Sequence, residues 1–130
     1  GVNMLVGDAG EGALANAYLR QRLGDHRVIA IRYMNLSKPV SWNPDSNAYH
    51  VDRTTVIDNY ARFILHGQVI YPKLTHAQTA INDILNVYEE VTLQGKKTWR
   101  HSPTMPDDCL HAQIFGWFAW MLLTSNLNLQ

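Results

Sequence analysis

Three acidic residues stand where their carboxylates could bind a metal ion. Asp8 follows a short apolar run and begins the glycine-rich turn that ends at Gly12. Asp107 and Asp108 follow Pro106 at the predicted start of the last helix. Carboxylate oxygens are the ligands that suit Mg²⁺ or Mn²⁺. If the fold brings the strand-end acid to the helix-start pair, the three predict a divalent-metal site.

An imidazole accompanies the acidic pair. His111 lies four residues after Asp107 and three after Asp108, so it shares a helix face with them. Successive helix residues point about 100° apart, so the two aspartates are not expected to contact one ion in the same way. His111 is expected to orient a carboxylate or to contact a phosphate. The spacing does not decide which aspartate is the direct metal ligand.

Each acid also has a purely structural interpretation. Asp8 could cap the helix that follows the turn, and carboxylates at a helix start gain from the helix dipole. The glycines from Gly7 to Gly12 could instead hold a phosphate. Their spacing matches neither GxGxxG nor GxxxxGK followed by Ser or Thr, and Glu11 would repel an anion. Caps, a phosphate turn and metal ligands all remain open at this point.

The composition is that of one globular domain. The chain has 130 residues, of which 46% are hydrophobic and 17% are charged. Eleven Lys and Arg balance eleven Asp and Glu, which excludes a strongly basic protein that coats nucleic acid. A single cysteine, Cys109, excludes an internal disulfide and a cysteine zinc site, and it fits a cytoplasmic location.

Membrane insertion and secretion are not expected. The longest nearly continuous apolar stretch, Ile114 to Leu123, is about half of the roughly 20 residues that a membrane span needs. No basic-then-apolar leader opens the chain.

Apolar patterning predicts an α/β fold in which a mixed sheet is flanked by helices. The predicted elements are a strand at 4–6, a helix with Ala15, Leu19 and Leu23 on one face, a strand at 28–31, a loop at 35–50, a helix with Val56, Ile57, Tyr60 and Ile64, a strand at 69–71, a helix with Ala77, Ile81, Ile84, Leu85 and Tyr88, a hairpin of 91–93 and 98–101, and a last helix from Asp107. The first three form a βαβ unit. Tyr18, Tyr60 and Tyr88 are assigned to the core.

Three segments together resemble one known family. They are Leu5–Gly12, Tyr49–Thr54 and Trp99–Ala112, in which Pro-Asp-Asp-x-x-His-Ala at 106–112 is the most specific piece. With a strand-end aspartate far upstream, this sequence resembles the C-terminal nuclease domain of the large terminase subunit of tailed bacteriophages over nearly its whole length. The resemblance implies an RNase H-like fold, a carboxylate cluster that binds two divalent metal ions, and endonucleolytic cleavage of concatemeric phage DNA during packaging.

The resemblance assigns roles residue by residue. Asp8 matches the second acid of the family, and the pair Asp107 and Asp108 matches the third, with His111 beside them. The family's first acid lies on a preceding β-meander, and this sequence begins just before Asp8. The expectation is therefore a single but partial nuclease domain over residues 1–130, truncated at its N-terminus. It is expected to bind metal weakly, to have little activity alone and to self-associate.

The implied partners are those of a packaging motor. They are double-stranded DNA, an N-terminal ATPase domain, the portal and the small terminase subunit, all in the cytoplasm of a bacterial host cell. Arg53, Lys96 and Lys97 are the candidates for contact with DNA phosphates, although lysines in a turn are also often simply solvated. Trp42 could stack on a base or cover the edge of the core.

Alternative functions remain open. Another RNase H-like polynucleotidyl transferase, such as a transposase or a Holliday-junction resolvase, would use the same ions. A non-catalytic flavodoxin-like module would hold a phosphate in the Gly7–Gly12 turn and use the acids as caps. The chain could also be an inactive piece of an enzyme that cuts DNA.

Overall fold

Four α-helices and six β-strands make up the structure, a computed structural model that describes residues 1–130. Their bounds are β1 Leu5–Asp8, α1 Ala13–Leu23, β2 Val28–Met34, β3 Val40–Asn43, β4 Ala48–Asp52, α2 Arg53–Leu65, α3 Leu74–Leu85, β5 Val87–Val91, β6 Lys97–His101 and α4 Asp108–Leu123. A turn of 3₁₀ helix at Asp25–Arg27 joins α1 to β2.

The main sheet has four strands in the order β1-β2-β4-β3. β1, β2 and β4 are parallel, and β3 pairs antiparallel with β4 at the edge. β5 and β6 form a separate antiparallel hairpin. The prediction of an α/β fold with a mixed sheet flanked by helices is therefore confirmed, as is the opening βαβ unit. The RNase H-like assignment within that class stays a prediction.

Helix α4 lies at the centre of the core. Ile114 and Phe118 are fully buried, and they belong to one cluster with Ile31 and Val51 of the sheet and Val56 of α2. Burial of each large apolar side chain contributes about 1.5–3 kcal/mol. Packing against β1, α2 and α3 explains most of the apolar residues around α4, whereas Trp120 and Leu123 are exposed. This packing places the start of α4 next to the carboxyl end of β1.

Helix α1 is attached to the sheet by polar groups rather than by the predicted apolar stripe. Asn16 is its buried residue, and its Nδ2 donates to the Asp8 carbonyl at 2.7 Å. Arg20 Nε donates to the Val28 carbonyl at 3.1 Å. Ala15 is exposed, and Leu14 is 86% exposed. The stripe prediction is therefore wrong at Ala15, whereas Leu19 and Leu23 are partly buried. Hydrogen bonds to strand carbonyls also orient this helix.

The predicted loop at 35–50 is wrong, since it contains β3 and the start of β4. Its prolines and asparagines lie at the strand ends and in the turn between the strands. Trp42 and Tyr49 are paired across the two strands, with ring centroids 4.9 Å apart. Aromatic side chains that pair across an antiparallel ladder stabilise both strands. The polar residues around this pair make the segment resemble a loop in the sequence.

Other local predictions also need correction. Residues 69–71 form no strand, because no neighbouring strand pairs with them. Leu85, Tyr18 and Tyr88 are exposed, whereas Tyr60 is buried as predicted. The predicted hairpin and its second strand are confirmed, but the first strand is Val87–Val91 rather than 91–93. None of the helices combines the length and the apolar character needed to span a membrane.

Two glycine substitutions should change stability in opposite directions. A Cβ at Gly12 would lie 2.5 Å from the Asp8 carbonyl oxygen, so Gly12→Ala should lower the free energy of unfolding by about 1–3 kcal/mol. A Cβ at Gly116, inside α4, would meet nothing within 4 Å. Gly116→Ala should therefore raise the free energy of unfolding by about 0.5–1 kcal/mol. Urea denaturation of both variants measures the difference, and equal effects would contradict the close approach at Gly12.

Candidate functional site

A cleft of about 500 Å³ lies where the end of β1 meets the start of α4. The residues that line it are Asp8, Gly10, Glu11, Tyr33, Asp108, His111, Ala112 and Phe115. The fold thus brings Asp8 to Asp108, near the opposite end of the chain. Three carboxylates, one phenol and one imidazole share this small volume.

Asp8 uses one of its two carboxylate oxygens to hold the turn. Its Oδ2 accepts hydrogen bonds from the backbone amides of Gly10 at 2.7 Å and Gly12 at 3.5 Å. Its Oδ1 has no hydrogen-bond partner. The structural role predicted as an alternative is therefore present, but it leaves one oxygen for a ligand. Because the carboxylate already occupies these amides, the geometry disfavours a phosphate in the turn.

Neighbouring elements fix the start of α4. Asp83 of α3 is buried, and its Oδ2 accepts a hydrogen bond from the Cys109 amide at 2.7 Å. Asn86 Nδ2 donates to the Pro106 carbonyl at 2.9 Å. A side chain of α3 thus satisfies an amide at the first turn of α4, where helix amides lack partners within the helix. Helix α3 therefore positions the residues of α4 that face the cleft.

The two adjacent aspartates have different surroundings. Asp107 is only 8% exposed, and its Oδ2 lies 3.0 Å from His111 Nε2 and 3.6 Å from an Arg53 nitrogen. His101 Nε2 is 3.8 Å from its other oxygen. Although Asp107 occupies the N-cap position, its side chain makes no capping hydrogen bond. Asp108 is exposed, forms no ion pair and lines the cleft.

A phenol, an imidazole and a carboxylate form a chain beside the cleft. The Tyr33 hydroxyl lies 2.9 Å from His111 Nδ1, and His111 Nε2 contacts Asp107. Burial raises the pKa of Tyr33, so its hydroxyl stays protonated. Burial also lowers the pKa of His111 below 6.5, although Asp107 opposes the shift. Neutral His111 therefore accepts from Tyr33 at Nδ1 and donates to Asp107 from Nε2.

Tyr33 was missed in the sequence, although a usable signal exists. It lies two residues after Ile31 on β2, so both side chains belong to the same face of the sheet. Ile31 is in the core beneath α4. An aromatic hydroxyl on that face, at the carboxyl end of a parallel strand, is placed to meet the start of the helix.

The cations predicted to contact DNA lie outside the cleft. Arg53 donates to the Trp99 carbonyl at 2.7 Å and faces Asp107. Lys97 pairs with Asp58 at 3.0 Å and with Glu89 at 2.8 Å. Lys96 is exposed next to the hairpin turn, with no ion pair. Contact between these residues and DNA stays a prediction, and for Arg53 and Lys97 it would compete with contacts inside the protein.

No group of three or more His, Cys, Asp or Glu side chains is arranged to hold a metal ion. Asp8 and Asp108 nevertheless line one cleft with oxygens that have no protein partner. Comparison of the chain with protein-family models, with curated proteins and with solved structures finds no match.

The titration of His111 should report the chain of hydrogen bonds. Because Asp107 raises the pKa of His111, Asp107→Asn should lower it further while keeping an oxygen that can accept from Nε2. Asp108→Asn should lower it less, since Asp108 contributes less to the shift. NMR titration of the imidazole resonances measures both changes. Equal effects of the two substitutions, or a rise in either variant, would contradict the assignment.

The same shift predicts a pH dependence of stability. Folded His111 binds a proton less readily than unfolded His111, whose pKa is near 6.5. Its contribution to stability is therefore complete above that pH and is lost as the pH falls toward the lower folded pKa. His111→Gln should reduce this loss between about pH 6.5 and 5 in thermal unfolding curves. An unchanged slope would show that His111 is not buried in its neutral form.

Proposed function

We propose that this chain is a nuclease domain that cleaves DNA with a divalent metal ion bound in the cleft between β1 and α4. The observation that carries the proposal is the meeting of Asp8 and Asp108 in one cleft, each with carboxylate oxygen free of protein contacts. The sequence resemblance to the terminase nuclease domain supports the same reaction and implies that phage DNA is the substrate.

The oxygen donors fit Mg²⁺ or Mn²⁺. Mg²⁺ in proteins commonly keeps several waters and binds through one or two carboxylates together with substrate phosphates. Asp8 Oδ1 and the Asp108 carboxylate would supply those protein ligands, and Glu11 is the third acid of the cleft. When bound, such an ion polarises a phosphate ester and lowers the pKa of water. The second ion that the resemblance implies would need further ligands.

Charge in the cleft gives an independent argument for a cation. Asp8, Glu11 and Asp108 line the cleft, and none of them forms an ion pair. The charge of Asp107, by contrast, is offset by Arg53. Three unpaired carboxylates repel a DNA phosphate, so a bound cation or the loss of a carboxylate favours the approach of DNA to this surface.

Tyr33, His111 and Asp107 fix the shape of the cleft and are not assigned a direct part in the reaction. Both ring nitrogens of His111 are occupied, one by Tyr33 and one by Asp107. We assign His111 and Asp107 to positioning Tyr33. The Tyr33 hydroxyl donates a hydrogen bond to His111 Nδ1. Its oxygen lone pairs therefore remain free to accept a hydrogen bond from a water in the cleft. Asp108, rather than Asp107, is the proposed metal ligand of the pair.

Metal binding should depend on the two free aspartates. Mn²⁺ at 100 times its dissociation constant should stabilise the unmodified protein by about 2.7 kcal/mol. Asp8→Asn and Asp108→Asn should each remove this gain in thermal unfolding, whereas Asp45→Asn, in the exposed turn after β3, should keep it. Without metal, Asp8→Asn should be as stable as the unmodified protein or slightly more so, because repulsion among the carboxylates decreases. Equal loss of stability with and without Mn²⁺ would make Asp8 a structural residue only.

DNA cleavage should follow the same residues. In a plasmid-nicking assay, Mg²⁺-dependent cleavage should fall roughly 100-fold or more in Asp8→Asn and Asp108→Asn, since the substitutions remove ligands of the ion that activates the reaction. Asp25→Asn, in the 3₁₀ turn, serves as the control. DNA binding, measured by gel shift in Ca²⁺, should survive all three substitutions. Wild-type cleavage by Asp8→Asn would disprove the proposal.

A further inference from the structure

The cleft offers no cation of its own to DNA, because the charged side chains that line it are all acidic. The chain as a whole is neutral, with eleven Lys and Arg against eleven Asp and Glu. A neutral protein binds a polyanion best where its cations are grouped and free of carboxylate partners. Arg53 and Lys97 do not meet this condition, since each lies against an aspartate.

The face of the sheet opposite α4 is covered along only part of its length. Helix α1 lies over the middle of this face, because a Cβ on Gly7, the partner of Ala30, would meet the Asn16 side chain. Ala30 is buried there. Arg32 and Met34 follow on the same face of β2, since side chains alternate along a strand, and both are exposed. The carboxyl end of this face is therefore open to solvent.

Strand register places two further polar side chains beside Arg32. His50 of β4 is the partner of Arg32, and Ser41 of β3 is the partner of His50. The three side chains therefore form a row on the open face. Neighbouring strands lie about 4.8 Å apart, so the row spans about 10 Å. Arg32 forms no ion pair.

Two lysines lie near the end of β4, next to this row. The Pro39 carbonyl accepts a hydrogen bond from the Asp52 amide at 3.0 Å, which brings Lys38 to the last residue of β4. Burial would raise the pKa of Asp52, but hydrogen bonds from Thr55 and the charge of Lys96 lower it, so Lys96 is also nearby. Both lysines are exposed, and neither forms an ion pair.

The acid on this face does not pair with these cations. Asp52 is buried, and its two oxygens accept hydrogen bonds from the amides of Leu36 and Thr55, at 3.1 and 3.0 Å. Tyr33, the residue after Arg32 on β2, lines the cleft. The open face and the cleft therefore lie on opposite sides of one strand end.

We propose that the basic surface, formed by Arg32, Lys38, Ser41 and His50 and flanked by Lys96, binds the phosphate backbone of DNA beside the cleft. Arginine, lysine and serine side chains are among the groups that bind phosphate oxygens in protein–DNA complexes. A row of about 10 Å matches about three nucleotides of one DNA strand, which rises about 3.4 Å per nucleotide. The choice of DNA over another polyanion rests on the proposed function.

The proposal is tested with the whole chain and a labelled DNA duplex of about 20 base pairs, by fluorescence anisotropy in Ca²⁺. The double variant Arg32→Gln/Lys38→Gln should bind roughly tenfold or more weakly than the unmodified protein. Its plot of log affinity against log salt should be flatter by about 1.8, since each phosphate contact contributes about 0.9.

A matched control removes the same charge elsewhere. Arg27 precedes the amino end of β2, and Lys73 precedes α3; both are exposed and form no ion pair. Arg27→Gln/Lys73→Gln should bind the duplex as the unmodified protein does. An equal loss of affinity in both double variants would overturn the proposal, because the loss would then report net charge rather than the basic surface.

NMR of the unmodified protein gives a second readout that needs no variant. Addition of the duplex should shift the amide resonances of Ser41 and His50 more than that of Lys73. Unshifted resonances at Ser41 and His50, or the absence of duplex binding, would overturn the proposal. Failure of the proposed function is recognised separately: wild-type cleavage by Asp8→Asn would remove the metal site but would leave the binding results for the basic surface unchanged.

Discussion

Burial of α4 is the constraint on which the rest of the structure depends. The helix is apolar around most of its circumference, so most of it must pack against other elements, and only a narrow face that includes Trp120 and Leu123 is exposed. Ile114 and Phe118 anchor it among Ile31, Val51 and Val56. Since the core fixes its axis, its first turn is held beside the end of β1. The meeting of two acids distant in sequence follows from packing rather than from attraction between them.

Local electrostatics then give adjacent aspartates different roles. Asp107 lies among Arg53, His101 and His111, so its charge is compensated within the protein. Asp108, one residue later, faces the cleft without a cation. A rotation of about 100° per helical residue is enough to separate the two environments. On this account Asp107 stabilises the wall of the cleft, and Asp108 is left to bind what enters it.

The sequence predicted the parts of the site that follow from regular patterns. The βαβ unit was found from the apolar runs of its strands and the glycines beside its helix, and the last helix from its acidic start and long apolar stretch. These elements carry Asp8, Asp108 and His111. Tyr33 was not found, because its role depends on a contact with a helix far along the chain. The strands at 40–52 were also missed, since cross-strand partners rather than composition stabilise them. The segment at 69–71 shows the converse: its strand propensity is strong, but the fold supplies no partner.

The claim that Asp8 and Asp108 bind one divalent ion has a direct measurement. Mn²⁺ is paramagnetic and broadens the NMR signals of nearby nuclei, so substoichiometric Mn²⁺ should broaden the amide resonances of Gly10 and Ala112 in the cleft first. The indole resonance of Trp117, which does not line the cleft, should remain sharp. Broadening centred on Glu89 and Glu90 of the hairpin, or equal broadening at all exposed acids, would contradict a metal site between β1 and α4.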